Sequence, residues 1–152
     1  MKKLLGTIAF GLLVIPAFAQ QSQYLGKLSA NHYDGESVSN PYGTHGSAYS
    51  PTSINNPYGQ YGDPYSPLSV TNPYALNAPR LYASDGTYLG RLSANRYDPE
   101  SVSNPYGAHG NPYSPTSINN QFSPYGNRYS PLSPRNPHTT QGPRIIGGYG
   151  RR

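Results

Sequence analysis

The chain is one block written twice, and any fold must accommodate that block in duplicate. Residues 24–31, YLGKLSAN, return as YLGRLSAN at 88–95, a shift of 64. With no insertion, the same shift carries SVSNPYG at 37–43 onto 101–107 and SPTSINN at 50–56 onto 114–120. About two-thirds of aligned positions are identical as far as Arg80 and Arg144. Inside each copy runs a finer period of 16, with units beginning at Tyr33, Tyr49 and Tyr65 and again at Tyr97, Tyr113 and Tyr129. The consensus is Y-S-P-x-S-[VI]-x-N-P-Y-G-x-[YH]-G-x-P. Such a short period marks repeats that cannot bury an apolar face singly and must pack on one another.

Proline sets the local conformation. Ser-Pro-x-Ser and Asn-Pro-Tyr-Gly each place Pro where φ near −65° is wanted, with Ser, Asn or Gly beside it to complete a turn. Two turns per unit are expected, joined by three or four residues such as Ser53-Ile54-Asn55. Proline at this density excludes helices and leaves room only for very short strands. The fold class expected is therefore all-β and turn-rich, with a tandem, solenoid-like arrangement of two 64-residue copies. Stacked units would align Val38, Ile54 and Val70 as an aliphatic column, and the Tyr33 and Tyr42 series as aromatic ones. Asn40, Asn56 and Asn72, continued by Asn104, Asn120 and Asn136, would form an amide ladder in which each side chain satisfies the next. Leu, Ile, Val and Phe are scarce, so tyrosine (16 residues) and proline (17) are expected to supply most of the core. The rival reading is a Tyr/Pro-rich chain without fixed structure.

The fourth unit of the first period is different. Residues 81–92, LYASDGTYLGRL, flank Asp85-Gly86, a dipeptide that favours the two-residue type I′ turn of a β-hairpin. Only the second half of this hairpin occurs at the beginning of the repeat region, as Tyr24–Leu28, and only the first half near the end, as Arg144–Ile146. The two half-hairpins are expected to pair. Pairing within one chain closes a two-fold ring, and pairing between chains gives head-to-tail self-association. The organisation expected is a leader over 1–19, repeat copy 1 over 20–80, copy 2 over 81–144 and a flexible tail over 145–152.

Met1-Lys2-Lys3, an apolar run from Leu4 to Ile15, Pro16 and Ala17-Phe18-Ala19 are the parts of a secretory signal peptide cleaved near Ala19. The apolar run is too short to cross a bilayer, so no membrane span is expected. The destination is the periplasm, the cell surface or the outside. Cysteine is absent, so no disulfide can brace the fold. Beyond the leader the charge is uneven, net −2 over residues 20–79 and +5 over residues 80–152. The plainer reading of that imbalance is drift on solvated faces, and the sharper one is head-to-tail attraction between the halves or an acidic partner for the C-terminal half; scattered Arg in an exported chain does not suggest nucleic acid.

Chemistry is sparse. His45 and His109 stand where neighbouring units have Tyr61 and Tyr125, which indicates an aromatic packing position. No H-x-x-H or HExxH spacing occurs, so neither a metal nor a cofactor is expected. Asp34-Gly35-Glu36 and Asp98-Pro99-Glu100 read as turn chemistry, and no G-x-S-x-G or phosphate-binding glycine loop is present. No catalytic residue is assigned. The string YLGKLSAN…YD…SVSNPYG…YSPTSINNPYG…YSPLSVTNPYA resembles a family of short exported bacterial repeat proteins. The resemblance implies a bacterial, extracytoplasmic setting and brings no activity with it. The expected function is a non-enzymatic structural or interaction role in the envelope or extracellular matrix. The alternatives are a glycan or cell-wall binding module using Tyr faces, and a disordered adhesive segment.

Overall fold

The computed structural model describes residues 22–148, so the expected leader and residues 149–152 lie outside it. Among the described residues there is no helix, and four short strands form one open antiparallel sheet. They are β1 (Gln23–Lys27), β2 (Arg80–Tyr82), β3 (Tyr88–Arg91) and β4 (Arg144–Gly147), in the spatial order β1-β4-β2-β3. No described helix is long and apolar enough to cross a membrane.

The two copies meet at the centre of this sheet. β2 pairs with β4 so that Leu81 faces Ile145, residues that occupy the same position in the two copies. The flanking pairs, Arg80 with Ile146 and Tyr82 with Arg144, are likewise exchanged by the 64-residue shift. A pseudo-two-fold axis therefore runs between Leu81 and Ile145. On either side, β3 completes the hairpin with β2, and β1 completes the equivalent one with β4. The half-hairpins at the two ends of the repeat region thus pair within one chain. The tail expected from residue 145 is ordered over its first residues, because Ile145 is fully buried in the core and Gly147 belongs to β4.

The last residue of each outer strand is paired on its open side too. Lys27 donates its N–H to Glu36 O (2.8 Å) and accepts from Val38 N (3.0 Å). Arg91 repeats this with Glu100 O (2.7 Å) and Val102 N (3.0 Å). The bulges that bring these segments together need glycine, since Gly26 and Gly90 have φ of 95° and 96° and a Cβ on either would strike a histidine ring.

The hairpin turn differs from its expected type. Type I′ requires positive φ at both central residues, but among the described residues no non-glycine has positive φ. Gly86 N donates to Ala83 O (2.9 Å) and Ala83 N to Thr87 O (2.9 Å), which makes a three-residue loop over 84–86 with Gly86 left-handed (φ 90°). Asp85 contributes through its carboxylate, which accepts from Thr87 N at 3.0 Å.

Residues 28–79 and 92–143 contain neither helix nor named strand, and their backbone bonds run almost entirely in turns. Turns begin at Asp34, Ser37, Asn40 and Gly43, then at Ser47, Ser50, Ser53, Asn56 and Gly59, each donating from residue i+3 to the carbonyl of residue i. Every third residue thus opens a turn. The sixteenth residue of each period is absorbed where Gly43 O accepts from both Gly46 N and Ser47 N, as Gly59, Gly107 and Ser123 do in their units. Five consecutive turns therefore replace the expected two turns with strands between them. The reason is donor accounting, since each buried backbone N–H must find a partner. In Asn40-Pro41-Tyr42-Gly43, proline has no N–H, Tyr42 N donates to Asn40 Oδ1 (3.0 Å) and Gly43 N donates to Asn40 O (3.1 Å).

The core also departs from expectation. It is centred on Leu25, Leu81, Leu89 and Ile145, all 0% exposed, with Val38, Ile54, Leu68, Val102 and Ile118 around them. Of the described residues buried there, tyrosine and proline contribute only Tyr61 and the fully buried Pro79 and Pro143. Beside the aliphatic column runs a column of serines, Ser37, Ser53, Ser69, Ser101, Ser117 and Ser133, all fully buried. Ser37 Oγ donates to Ser29 O (3.0 Å) and Ser53 Oγ to His45 O (2.9 Å), while each accepts from the N–H two residues ahead. A serine hydroxyl can fill both roles in a space too small for a phenol. Ile145→Ala and Leu81→Ala should each cost about 2–5 kcal/mol in denaturant unfolding, whereas Tyr49→Ala should stay within about 0.5 kcal/mol.

Candidate functional site

The tyrosines that begin the units are on the outside. Tyr33, Tyr49, Tyr65, Tyr97, Tyr113 and Tyr129 are exposed, as are Tyr42, Tyr58, Tyr74 and Tyr106, with values from 84% to 97%. Each ring projects from the third residue of a turn, and each has its own N–H held by a side chain two residues earlier. Tyr33 and Tyr97 donate to Asn31 and Asn95, Tyr49 to Ser47, Tyr65 to Asp63 and Tyr113 and Tyr129 to Asn111 and Asn127. These local bonds fix the backbone beneath the ring and leave the ring in solvent.

The asparagines expected to form a ladder do this work instead. Asn40, Asn56, Asn72 and Asn104 accept from the N–H of the following tyrosines, Asn120 from Phe122 and Asn136 from His138. Their Nδ2 groups donate six residues back, to Asp34, Ser50, Ser66, Asp98, Ser114 and Ser130 carbonyls. Each amide therefore serves its own unit rather than the next, because the short side chain reaches local backbone first. The contacts that span units come from residues sequence reasoning passed over. Asn55 Nδ2 donates to Val38 O (2.7 Å) and Gly46 O (3.0 Å), and Asn119 Nδ2 donates to Val102 O (2.8 Å) and Gly110 O (3.1 Å). The doubled asparagine in SINN, present in both copies, was the available signal.

The alternating Tyr/His position ties the turns to the sheet. His45 packs edge-on against Tyr24 (5.2 Å between centroids) and His109 against Tyr88 (5.1 Å), each above a bulge glycine. Tyr61 is buried against Gly147. Tyr125 donates to Asp85 Oδ2 (2.8 Å) or Thr87 Oγ1 (3.0 Å), pinning the tip of the hairpin. These are packing roles, as the sequence alignment of His with Tyr indicates. Burial lowers the His109 pKa. No group of three or more His, Asp or Glu side chains gathers in metal-binding geometry among the described residues.

Where β3 joins the second copy, an open cleft of about 800 Å³ is lined by Tyr82, Tyr88, Tyr97, Arg80, Arg91 and Glu100, among others. Two smaller concavities adjoin it and share Tyr97, one reaching Tyr74 and the other Tyr106. The floor is electrostatically organised. Arg91 lies 3.2 Å from Glu100 and donates to Leu76 O (3.0 Å), and Tyr88 donates its hydroxyl to Glu100 (3.2 Å). In the first copy Lys27 pairs with Glu36 (2.7 Å) and Asp34 (3.5 Å). The ion pairs among the described residues thus lie within copies rather than between them. Comparison with protein-family models finds no match, and neither the curated proteins nor the solved structures return a significant one.

Burial, then the neighbouring Glu100 carboxylate and its hydrogen bond, push the Tyr88 phenol from its ordinary 10.0 up to about 12. A raised folded pKa favours the neutral phenol, so its stabilisation is complete below pH 10 and disappears as pH rises towards about 12. Stability over that interval should fall for the wild type and fall less steeply in Tyr88→Phe, the remaining slope coming from Tyr24 and Tyr61, whose phenol pKa values burial also raises. Tyr125→Phe should cost on the order of 1 kcal/mol and speed amide exchange at Gly86 and Thr87 without affecting β1.

Proposed function

We propose that this chain is an exported, non-enzymatic interaction protein that binds polysaccharide at or outside the cell envelope. Each copy would act as a short solenoid-like arm of turn-wound units, with the sheet joining the two arms. The observation that carries the reading is the concave surface around Tyr97, whose exposed ring forms a wall common to three adjoining hollows. Large aromatic groups left exposed in number on a folded surface mark interaction sites. A phenol offers an apolar face for the C–H face of a sugar and a polar edge for its hydroxyls. Arg80, Asn95, Asp98 and Glu100 line the same hollow and supply donors and acceptors for the ring substituents.

The donor accounting in the turns supports an ordered binding surface over a disordered adhesive segment. The unlike residues around the axis support one principal groove, since Leu76 and Tyr82 at this cleft correspond to Thr140 and Ile146 at the position related by the 64-residue shift. Pull-down and titration against peptidoglycan and soluble polysaccharides would test the reading. Saturable binding is expected, weakened about tenfold by Tyr97→Ala, the equivalent of about 1.4 kcal/mol, and left intact by Tyr49→Ala. Equal binding by wild type and Tyr97→Ala would remove the groove from the account.

A further inference from the structure

The outward tyrosines have a chemistry that binding does not use. We propose that they are sites of oxidative phenol coupling between copies of this chain, with hydrogen peroxide as oxidant and a haem peroxidase as catalyst. The products would be covalent multimers joined by dityrosine.

Three observations lead there. The chain has no Cys and no Trp, and its one Met is Met1, so beyond the first residue no thiol, thioether or indole competes for oxidant. Ten of the sixteen tyrosines are outward and at least 84% exposed, which is the access that a bulky catalyst and a second phenol require. Most of these rings have small neighbours in the sequence, as in Pro41-Tyr42-Gly43, Ala48-Tyr49-Ser50 and Pro112-Tyr113-Ser114. Close ring pairs among the described residues involve Tyr24, Tyr82, Tyr88 and the two histidines, not the outward set. A radical formed on an outward ring therefore has no phenol stacked on it in its own molecule and stays open to coupling with one on another.

The step balances. Two phenols each lose one electron and one proton to give phenoxyl radicals. A carbon–carbon bond forms between their ortho positions, and the two ortho hydrogens return to the oxygens. Hydrogen peroxide takes up the two electrons and two protons and leaves as two waters. One pair needs separating from this pattern, since Tyr82 and Tyr88 lie 5.4 Å apart by centroids and can join within one chain.

The experiment treats the mature protein carrying Tyr82→Phe and Tyr149→Phe with peroxidase and hydrogen peroxide. This background removes the within-chain pair and a phenol outside the described residues. Expected are a ladder of covalent multimers on denaturing gels, dityrosine fluorescence, and joined peptides whose linked residues belong to the outward set. Changing the ten outward tyrosines to Phe as well should reduce the ladder more than tenfold while circular dichroism stays native. Phe122 is the internal precedent, being 82% exposed at the position equivalent to Tyr58 with its N–H held by Asn120. Should the ten-fold variant fail to fold, Tyr42→Phe, Tyr58→Phe and Tyr106→Phe together should lower the initial rate by about a third if the outward rings react alike, as their common exposure implies. A background protein that stays monomeric, joins that map to Tyr24, Tyr61, Tyr88 or Tyr125, or an undiminished ladder in the variants would overturn the proposal.

Discussion

Everything in this molecule depends on the antiparallel pairing of β2 with β4, where Leu81 meets Ile145 across the axis. That contact converts a tandem duplication into a two-fold object. It buries Leu25, Leu81, Leu89 and Ile145, among the described residues the only large aliphatic side chains that are wholly inaccessible, in one cluster of two equivalent pairs. A chain with so few aliphatic residues could not build a core in each copy separately. By pooling four of them at the axis, it makes one core serve both copies. The first and last strands are then partners, and β1 is held by β4 as β3 is held by β2.

Away from the sheet, order comes from local bonds rather than apolar burial. A residue such as Asn or Ser at the start of a turn accepts the N–H two positions ahead with its side chain and the N–H three ahead with its carbonyl. Proline at the position between needs no acceptor at all. Proline also narrows the unfolded ensemble, so less conformational entropy is lost on ordering each turn. The arrangement runs without helix or ladder because each step of three residues settles its own donors. The buried serines extend this logic inwards, with a hydroxyl that both accepts and donates where the winding leaves too little room for anything larger.

Much of the architecture was legible in the sequence, and the failures have specific causes. The duplication, the half-hairpins and the absence of helix among the described residues follow from the 64-residue repetition and proline density. The triplet turn was hidden because 16 is not a multiple of three, so the pattern resets at each Gly43-like position and only the proline-marked turns stand out. Tyr33 and its equivalents were assigned to the interior on the strength of their burial area, yet a phenol at the third position of a turn has no neighbour to cover it. The serines were overlooked for the opposite reason, since Ser in such a chain reads as turn chemistry and not as core. The hairpin turn differs from the expected type because Asp-Gly suits both a two-residue loop and a three-residue one, and the deciding φ at Asp85 is not written in the dipeptide. At the cleft, Tyr97 was named by its period, but its meeting with Tyr82 and Arg80 is a product of the sheet crossing and has no local signature.

The hydrogen bond from each outward tyrosine N–H to the Asn, Ser or Asp two residues earlier separates two kinds of motion. The main chain under the ring is tied at its donor, while the ring can still turn about its own side-chain bonds. An encounter with any surface then orders only a rotamer, at about 0.5–1.5 kcal/mol per side chain, instead of also ordering a loop at about 1–2 kcal/mol per residue. Many weak aromatic contacts become worthwhile under that condition, because each one starts with its backbone already in the bound form.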